Sequence, residues 1–149
     1  EVIPGSALSP FTATATSAKL TGTVIGTTGS WSGTTSDDKS KAFDGSLSTF
    51  FDAPTSVGWA GLDFGSNKTL SQVKYAPRSG WASRMTGGKI QGSTTADFSS
   101  GVTDLFTISG TPTVGVLTSQ TISGSYRYVR YLSPTGGYGN IAELEFWGK

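Results

Sequence analysis

The sequence predicts an all-β fold, an antiparallel β-sandwich of jelly-roll type, on three observations. Gly, Ser and Thr abound while helix formers are sparse. Aromatic residues make up 11% of the chain, which suits many short strands joined by tight turns. Runs with a two-residue period recur along the chain, each bounded by Gly, Pro or Ser, at the spacing of a sandwich or jelly roll. A length of 149 residues suits one ordinary domain around one core, so residues 1–149 are read as a single unit.

The elements follow in order. Residues 1–40 are Thr/Ser/Gly-rich with weak alternation in "ATATSAKLTGTVIG", and read as one or two edge strands and loops. This composition suggests a mobile start, whereas Trp31 in "GSWSG" argues that part of the segment packs. "GWAGLDFG" puts Ala60, Leu62 and Phe64 on one face of a short strand bracketed by Gly58 and Gly65. "LSQVKYAP" alternates Val73 and Tyr75 against Gln72 and Lys74, and Pro77 ends it because proline has no N–H for the ladder. "GGKIQGS", "TDLFTISG" and "TSQTISG" predict further short strands, and "SYRYVRYLSP" is the longest β-favouring run. "NIAELEFWG" closes the chain with Ala142, Leu144 and Phe146 facing one way and Glu143, Glu145 and Trp147 the other.

Composition removes several functions. With 11 basic and 10 acidic residues, a formal charge of +1 and no Lys/Arg run, the chain lacks the one-signed stripe that a phosphate backbone attracts, so no nucleic-acid partner is expected. The tyrosines and arginines of "SYRYVRY" divide between two strand faces and are assigned a structural role. No stretch approaches the roughly 20 apolar residues of a bilayer span, and none reads as a secretory leader. There is no Cys and no His, which excludes disulfides, thiolate zinc, a Cys nucleophile and the usual serine-protease triad. A glycosidase would need two carboxylates about 5–10 Å apart. Asp37 and Asp38 are adjacent in a loop, and Glu143 and Glu145 share a strand face, so neither pair suggests an acid and base across a cleft. No enzymatic activity is expected.

Two stretches carry chemistry. In "KAFDGSLST" the Asp44 carboxylate and Thr49 hydroxyl can point inward, while Gly45 lets the chain bend so that nearby carbonyls converge. A hard cation such as calcium takes about six to eight oxygens of these kinds. Glu143, beside the Ala142 carbonyl, offers a second carboxylate from the far end of the chain. The competing reading is an ordinary Asp-Gly surface turn with Glu143 a solvated strand residue. The second stretch, "PRSGWASRM", gathers Arg78, Trp81 and Arg84 in one loop. Sugars present an apolar ring face and a fan of hydroxyls, which aromatic platforms and the planar guanidinium fork match. The competing readings bury Trp81 beneath its own loop and pair Arg84 with Asp97 or Asp104. Trp59, Trp147 and Phe50 are read as core or sandwich-edge residues, and Phe51 as either core or site.

The succession "AFDGSLSTFF", "WAGLDFG", "VKYAPRSG", "YRYVRYLSP" and "IAELEFWG" resembles the discoidin-like family, which includes coagulation-factor C-type domains and family-32 carbohydrate-binding modules, over residues 40–148. The resemblance implies a galactose-binding-like jelly-roll sandwich with a structural Ca2+ under its binding face. Its ligands would be the carbonyls of Lys41, Ser46 and Ala142, the side chains of Asp44 and Glu143, and Thr49 through carbonyl and hydroxyl. Relatives often carry Asp or Asn where Ser46 stands, a change that a carbonyl ligand survives. The resemblance also makes Arg78 a sugar ligand, places Ser83 where relatives often have Asn, puts Asp52 near the position of a ligand His, and offers Tyr138 as the aromatic before the last strand. These departures leave the sugar open.

The expected function is therefore a non-catalytic carbohydrate-binding module of a larger secreted glycan-active protein, attached to a catalytic domain, with an oligo- or polysaccharide as partner. Its sugar contacts would be Arg78, Trp81, Tyr138, Asp52 and Arg84. The alternative is a membrane- or protein-binding adhesion module of the coagulation-factor type, with Phe51, Trp81 and Met85 as exposed spikes but no Lys cluster to meet anionic lipid.

Overall fold

The computed structural model describes residues 16–149. The expectation of a mobile start falls largely on residues 1–15, which lie outside the described residues. Eight strands follow: β1 (Ala18–Lys19), β2 (Thr23–Gly26), β3 (Trp59–Ala76), β4 (Lys89–Ser93), β5 (Val102–Thr107), β6 (Thr118–Thr121), β7 (Ser125–Leu132) and β8 (Glu143–Gly148). Every pairing is antiparallel. Strands β1, β8, β6 and the second half of β3 form one sheet. Strands β2, β7, β4, β5 and the first half of β3 form the other.

The two strands expected at "WAGLDFG" and "LSQVKYA" are one 18-residue element that belongs to both sheets. Gly65 does not end the first run. It adopts φ 81°, a conformation open to glycine, where the pairing of β3 with β7 shifts register between Asp63 and Lys68. The Asp63 carboxylate accepts from the Gly65 N–H at 2.8 Å and fixes the irregularity. Alternation survives on both sides, with Ala60, Leu62 and Phe64 buried before it and Val73 and Tyr75 after it.

The core lies between the sheets, with Phe51, Tyr131, Phe146, Ile90, Val129 and Leu144 among its members. Each of the aliphatic and Phe side chains contributes about 1.5–3 kcal/mol by leaving water. Both ends of β3 reach the same rim of the sandwich. Gly58 packs against the Gly139 backbone, and the Ala76 carbonyl accepts from the Ala142 N–H at 2.8 Å. The loop between β7 and β8 thus crosses the loops that flank β3, and the functional residues gather there.

Candidate functional site

The crossing is organised by Asn140, which is fully buried. Its side-chain amide donates to the Phe51 carbonyl (3.2 Å), the Tyr138 carbonyl (3.1 Å) and Asp52 Oδ1 (3.0 Å). Its Oδ1 accepts from Arg78 Nη1 and Arg84 Nη1, each at 3.1 Å. Asp52 Oδ2 in turn pairs with Arg78 Nη1 at 3.2 Å. One amide therefore ties three loops together and sets the position of two guanidinium groups. It comes this close because Gly139, at φ 65°, lies where any side chain would meet the Phe51 ring at 2.6 Å. Tyr138 beside it takes a left-handed φ of 52°, an uncommon conformation for a residue with a side chain, held by Ala53 N–H donating to its carbonyl at 2.7 Å.

Aromatic rings complete the site. The Arg78 guanidinium lies 3.9 Å from the Phe50 ring and 5.3 Å from Trp81, and that of Arg84 lies 4.2 Å from Trp81 and 5.1 Å from Tyr138. Trp31 meets Tyr138 edge-on at 5.8 Å. These groups enclose an open cavity of about 310 Å3 lined by Trp31, Asp52, Arg78, Trp81, Arg84 and Tyr138. Trp31 is held from behind: its N–H donates to the Asp52 carbonyl at 2.7 Å, and the Asp37 carbonyl accepts from the Asp52 N–H at 2.9 Å. Burial raises the Asp37 pKa, but hydrogen bonds from Ser32 and Ser30 outweigh it and hold the carboxyl below its ordinary range.

All five residues expected at a sugar site thus stand around one cavity. Ser83 does not join them. It lines an adjoining groove, and the amide near the arginines is that of Asn140. Trp31, expected to pack, is 66% exposed and forms a cavity wall. Trp81 is 46% exposed, so it is not folded under its loop. Arg84 pairs with neither proposed carboxylate: Asp104 is taken by Lys89 at 2.8 Å, and Asp97 accepts from the Ser99 N–H. Of the three supposed spikes, Phe51 and Met85 are wholly buried and only Trp81 is exposed. Of the residues read as core or sandwich edge, half-buried Trp59 meets Phe98 edge to face, half-buried Trp147 lies under Lys74, and Phe50 supports Arg78.

A second constellation joins the opening turn to the last strand. A 3-10 turn over Lys39–Phe43 ends at Asp44, and Gly45 follows at φ 79°. The Gly45 N–H donates to Glu143 Oε2 at 3.0 Å, and Asp44 accepts from Ser46 N–H (3.0 Å) and the Thr49 hydroxyl (2.5 Å). The strand residue is not solvated: Glu143 is 1% exposed, and its Oε1 has no hydrogen-bond partner. Burial pushes its pKa up to about 7, the Asp44 charge adds to the rise, and the Gly45 amide opposes it. A buried carboxylate with one unpaired oxygen, close enough to Asp44 to feel its charge, offers oxygen donors of the kind a hard cation takes. Lys41, Ser46 and Thr49 lie in the same turn, and Ala142 precedes Glu143. Among the described residues no three acidic or His side chains cluster, so a cation here would draw the rest of its shell from carbonyls and hydroxyls.

The model of the F5/8 type C domain matches residues 12–144. The chain belongs to this family. The match begins well before the residue-40 boundary drawn from the motifs, so the F5/8 type C domain takes in β1, β2 and the Trp31 loop. A module described as CBM62 from Clostridium thermocellum Xyl5A is similar at 52% identity and a TM-score of 0.84, covering 89% of this chain and 97% of that one. A truncated AlyQ with CBM32 and alginate lyase domains is similar at 22% identity and a TM-score of 0.68, over 90% of this chain and 34% of that one. The family 32 CBM of Clostridium perfringens NanJ, solved with galactose, is similar at 16% identity and a TM-score of 0.62, over 89% and 99%. No curated protein matches the F5/8 type C domain described here.

Proposed function

We infer that this F5/8 type C domain is a non-catalytic carbohydrate-binding module. The observation that carries the reading is the pair of guanidinium groups, anchored on one buried amide and stacked against aromatic rings, that faces a cavity with room for a sugar. Trp31, Trp81 and Tyr138 supply ring faces for the apolar side of a pyranose, and Arg78, Arg84 and Asp52 supply donors and an acceptor for its hydroxyls. Nη1 of each arginine is held by Asn140, which leaves the other guanidinium N–H groups to donate. Because these groups are already fixed, a ligand does not have to order them, the saving that preorganisation provides.

Binding at one small open site would be modest, with Kd of about 1 mM to 1 μM. Such affinity serves to keep an attached partner near a clustered or insoluble glycan. The similar CBM62 module of Xyl5A, at 52% identity, supports a glycan-directed role for this chain. A Ca2+ held by Asp44, Glu143, Thr49 and the carbonyls of Lys41, Ser46 and Ala142 would supply charge compensation to the buried carboxylates and tie the opening turn to β8.

A glycan array probed with and without chelator tests the reading, with Arg78→Ala as the control. The expected result is retention of one glycan class by the native protein and its loss, by about 100-fold or more, in a folded Arg78→Ala protein. Equal retention by the two proteins would remove the cavity from consideration, and vesicle co-sedimentation of the native protein would point instead to the adhesion alternative.

A further inference from the structure

A second groove adjoins the cavity. It encloses about 230 Å3 between Ser83, Arg84 and Thr86 on one side and residues 134–137 on the other. Arg84 borders both spaces, so they adjoin at one residue.

The two spaces differ chemically. Among the described residues no aromatic lines the groove. It presents instead the hydroxyls of Ser83, Thr86 and Thr135, all exposed. Thr86 Oγ1 already donates to the Gly110 carbonyl at 2.7 Å, so it offers outward its acceptor lone pairs. The opposite wall is backbone. Gly136, at φ 82°, has open space where a side chain would stand, and its N–H is tied to Ser56 Oγ at 2.7 Å. Gly137 has no such room, since a Cβ there would come within 2.8 Å of the Arg84 carbonyl. The two walls therefore touch through their main chains, which fixes the width of the groove and its place relative to the cavity.

A hydroxyl-lined trough that meets an aromatic-walled cavity at a shared residue suits a continuous ligand better than two separate ones. A sugar unit in the cavity that reaches Arg84 brings its neighbouring unit to the mouth of the groove, against the exposed hydroxyls of Ser83 and Thr135. The geometry points to a second subsite between Ser83 and Thr135, which takes the adjoining unit of an oligosaccharide and reads it by its hydroxyl edges. This inference rests on the cavity being a sugar site.

Calorimetric titration tests it with galactose, glucose, mannose and xylose, their β-1,4-linked oligomers of two to four units, and the strongest array glycan beside its own terminal monosaccharide. The expected result is an oligosaccharide bound about tenfold tighter than its monosaccharide. The double variant Ser83→Ala/Thr135→Ala, both at exposed loop positions, should lose most of that gain and keep the monosaccharide affinity. Equal affinities for monosaccharide and oligosaccharide, unchanged in the double variant, would overturn the subsite and leave the cavity reading standing. Absence of any binding by the native protein, on the array and in the titrations, would overturn both.

Discussion

Both side-chain polar atoms of Asn140 have partners, whereas one carboxylate oxygen of Glu143 has none. Both places bring charge to the same layer of loops, yet they stand in opposite relation to a ligand. The Asn140 network is complete without one. It can face water or sugar without rearranging, so it suits weak and reversible recognition. The Glu143 junction is incomplete. Leaving a buried acceptor unpaired costs about 1–3 kcal/mol, and more for a charged group, so under the proposed reading a cation bound there would recover that cost. On the proposed reading, the first would be a site that a ligand visits and the second a site that an ion fills.

The comparison breaks most visibly at Asn140. Asn140→Ala would strip two arginines and Asp52 of their common partner, and we expect a loss of about 3 kcal/mol, or roughly 10 °C in melting temperature, with glycan binding abolished. A melting temperature within about 2 °C of the native value would show that the amide does not hold the crossing together.

A smaller effect of opposite kind is expected at Glu143. Its pKa is pushed up to about 7 from an ordinary 4.5, so the folded state holds this proton more tightly than the unfolded chain. The stability this contributes is complete below about pH 4.5 and is lost as pH rises through about 7. In chelator the melting temperature should therefore fall across that interval, by about 1–2 kcal/mol in stability after allowance for screening, and Glu143→Gln should flatten the fall. At pH 7.5 the variant should be more stable than the native chain in chelator and less stable in saturating calcium, where a bound ion adds about 2.7 kcal/mol at 100 times its Kd. Superimposable melting curves with and without calcium would close the cation question against us.

How far the sequence alone reaches differs between the same regions. The core faces were legible because alternation in "WAGLDFG" and "AELEF" is a local property, and Pro77 ended β3 as its missing N–H requires. The arginine-rich loop was legible because Arg78, Trp81 and Arg84 sit within a few residues of one another. The continuity of β3 was not, since Gly65 reads as a terminator and acts as a register shift only because β7 continues beside it. Asn140 was missed for a related reason. Nothing local marks the asparagine in "GYGN" as buried: its burial follows from the approach of Gly139 to Phe51, 88 residues away in the chain. The signal for Trp31 was present but misread, because an indole among serines and glycines with no alternating neighbours is better suited to a platform than to a core.

Trp31 gives the smallest and sharpest test. It makes its ring contact with Tyr138 at the rim, while its loop is fastened through backbone hydrogen bonds to Asp52 and through Asp37. Trp31→Ala should therefore leave the loop in place and the melting temperature within about 1 °C of native, removing only a wall of the cavity. An aromatic contact of this kind is worth about 0.5–1.5 kcal/mol, so glycan affinity should fall roughly threefold to tenfold by titration. Trp81→Ala should cost more, because Trp81 also lies against both guanidinium groups and its loss frees them to move. If Trp31→Ala lowers the melting temperature by several degrees, the ring is a packing element after all. If it changes neither quantity, Trp81 and Tyr138 alone form the platform, and the cavity grips its ligand from one side.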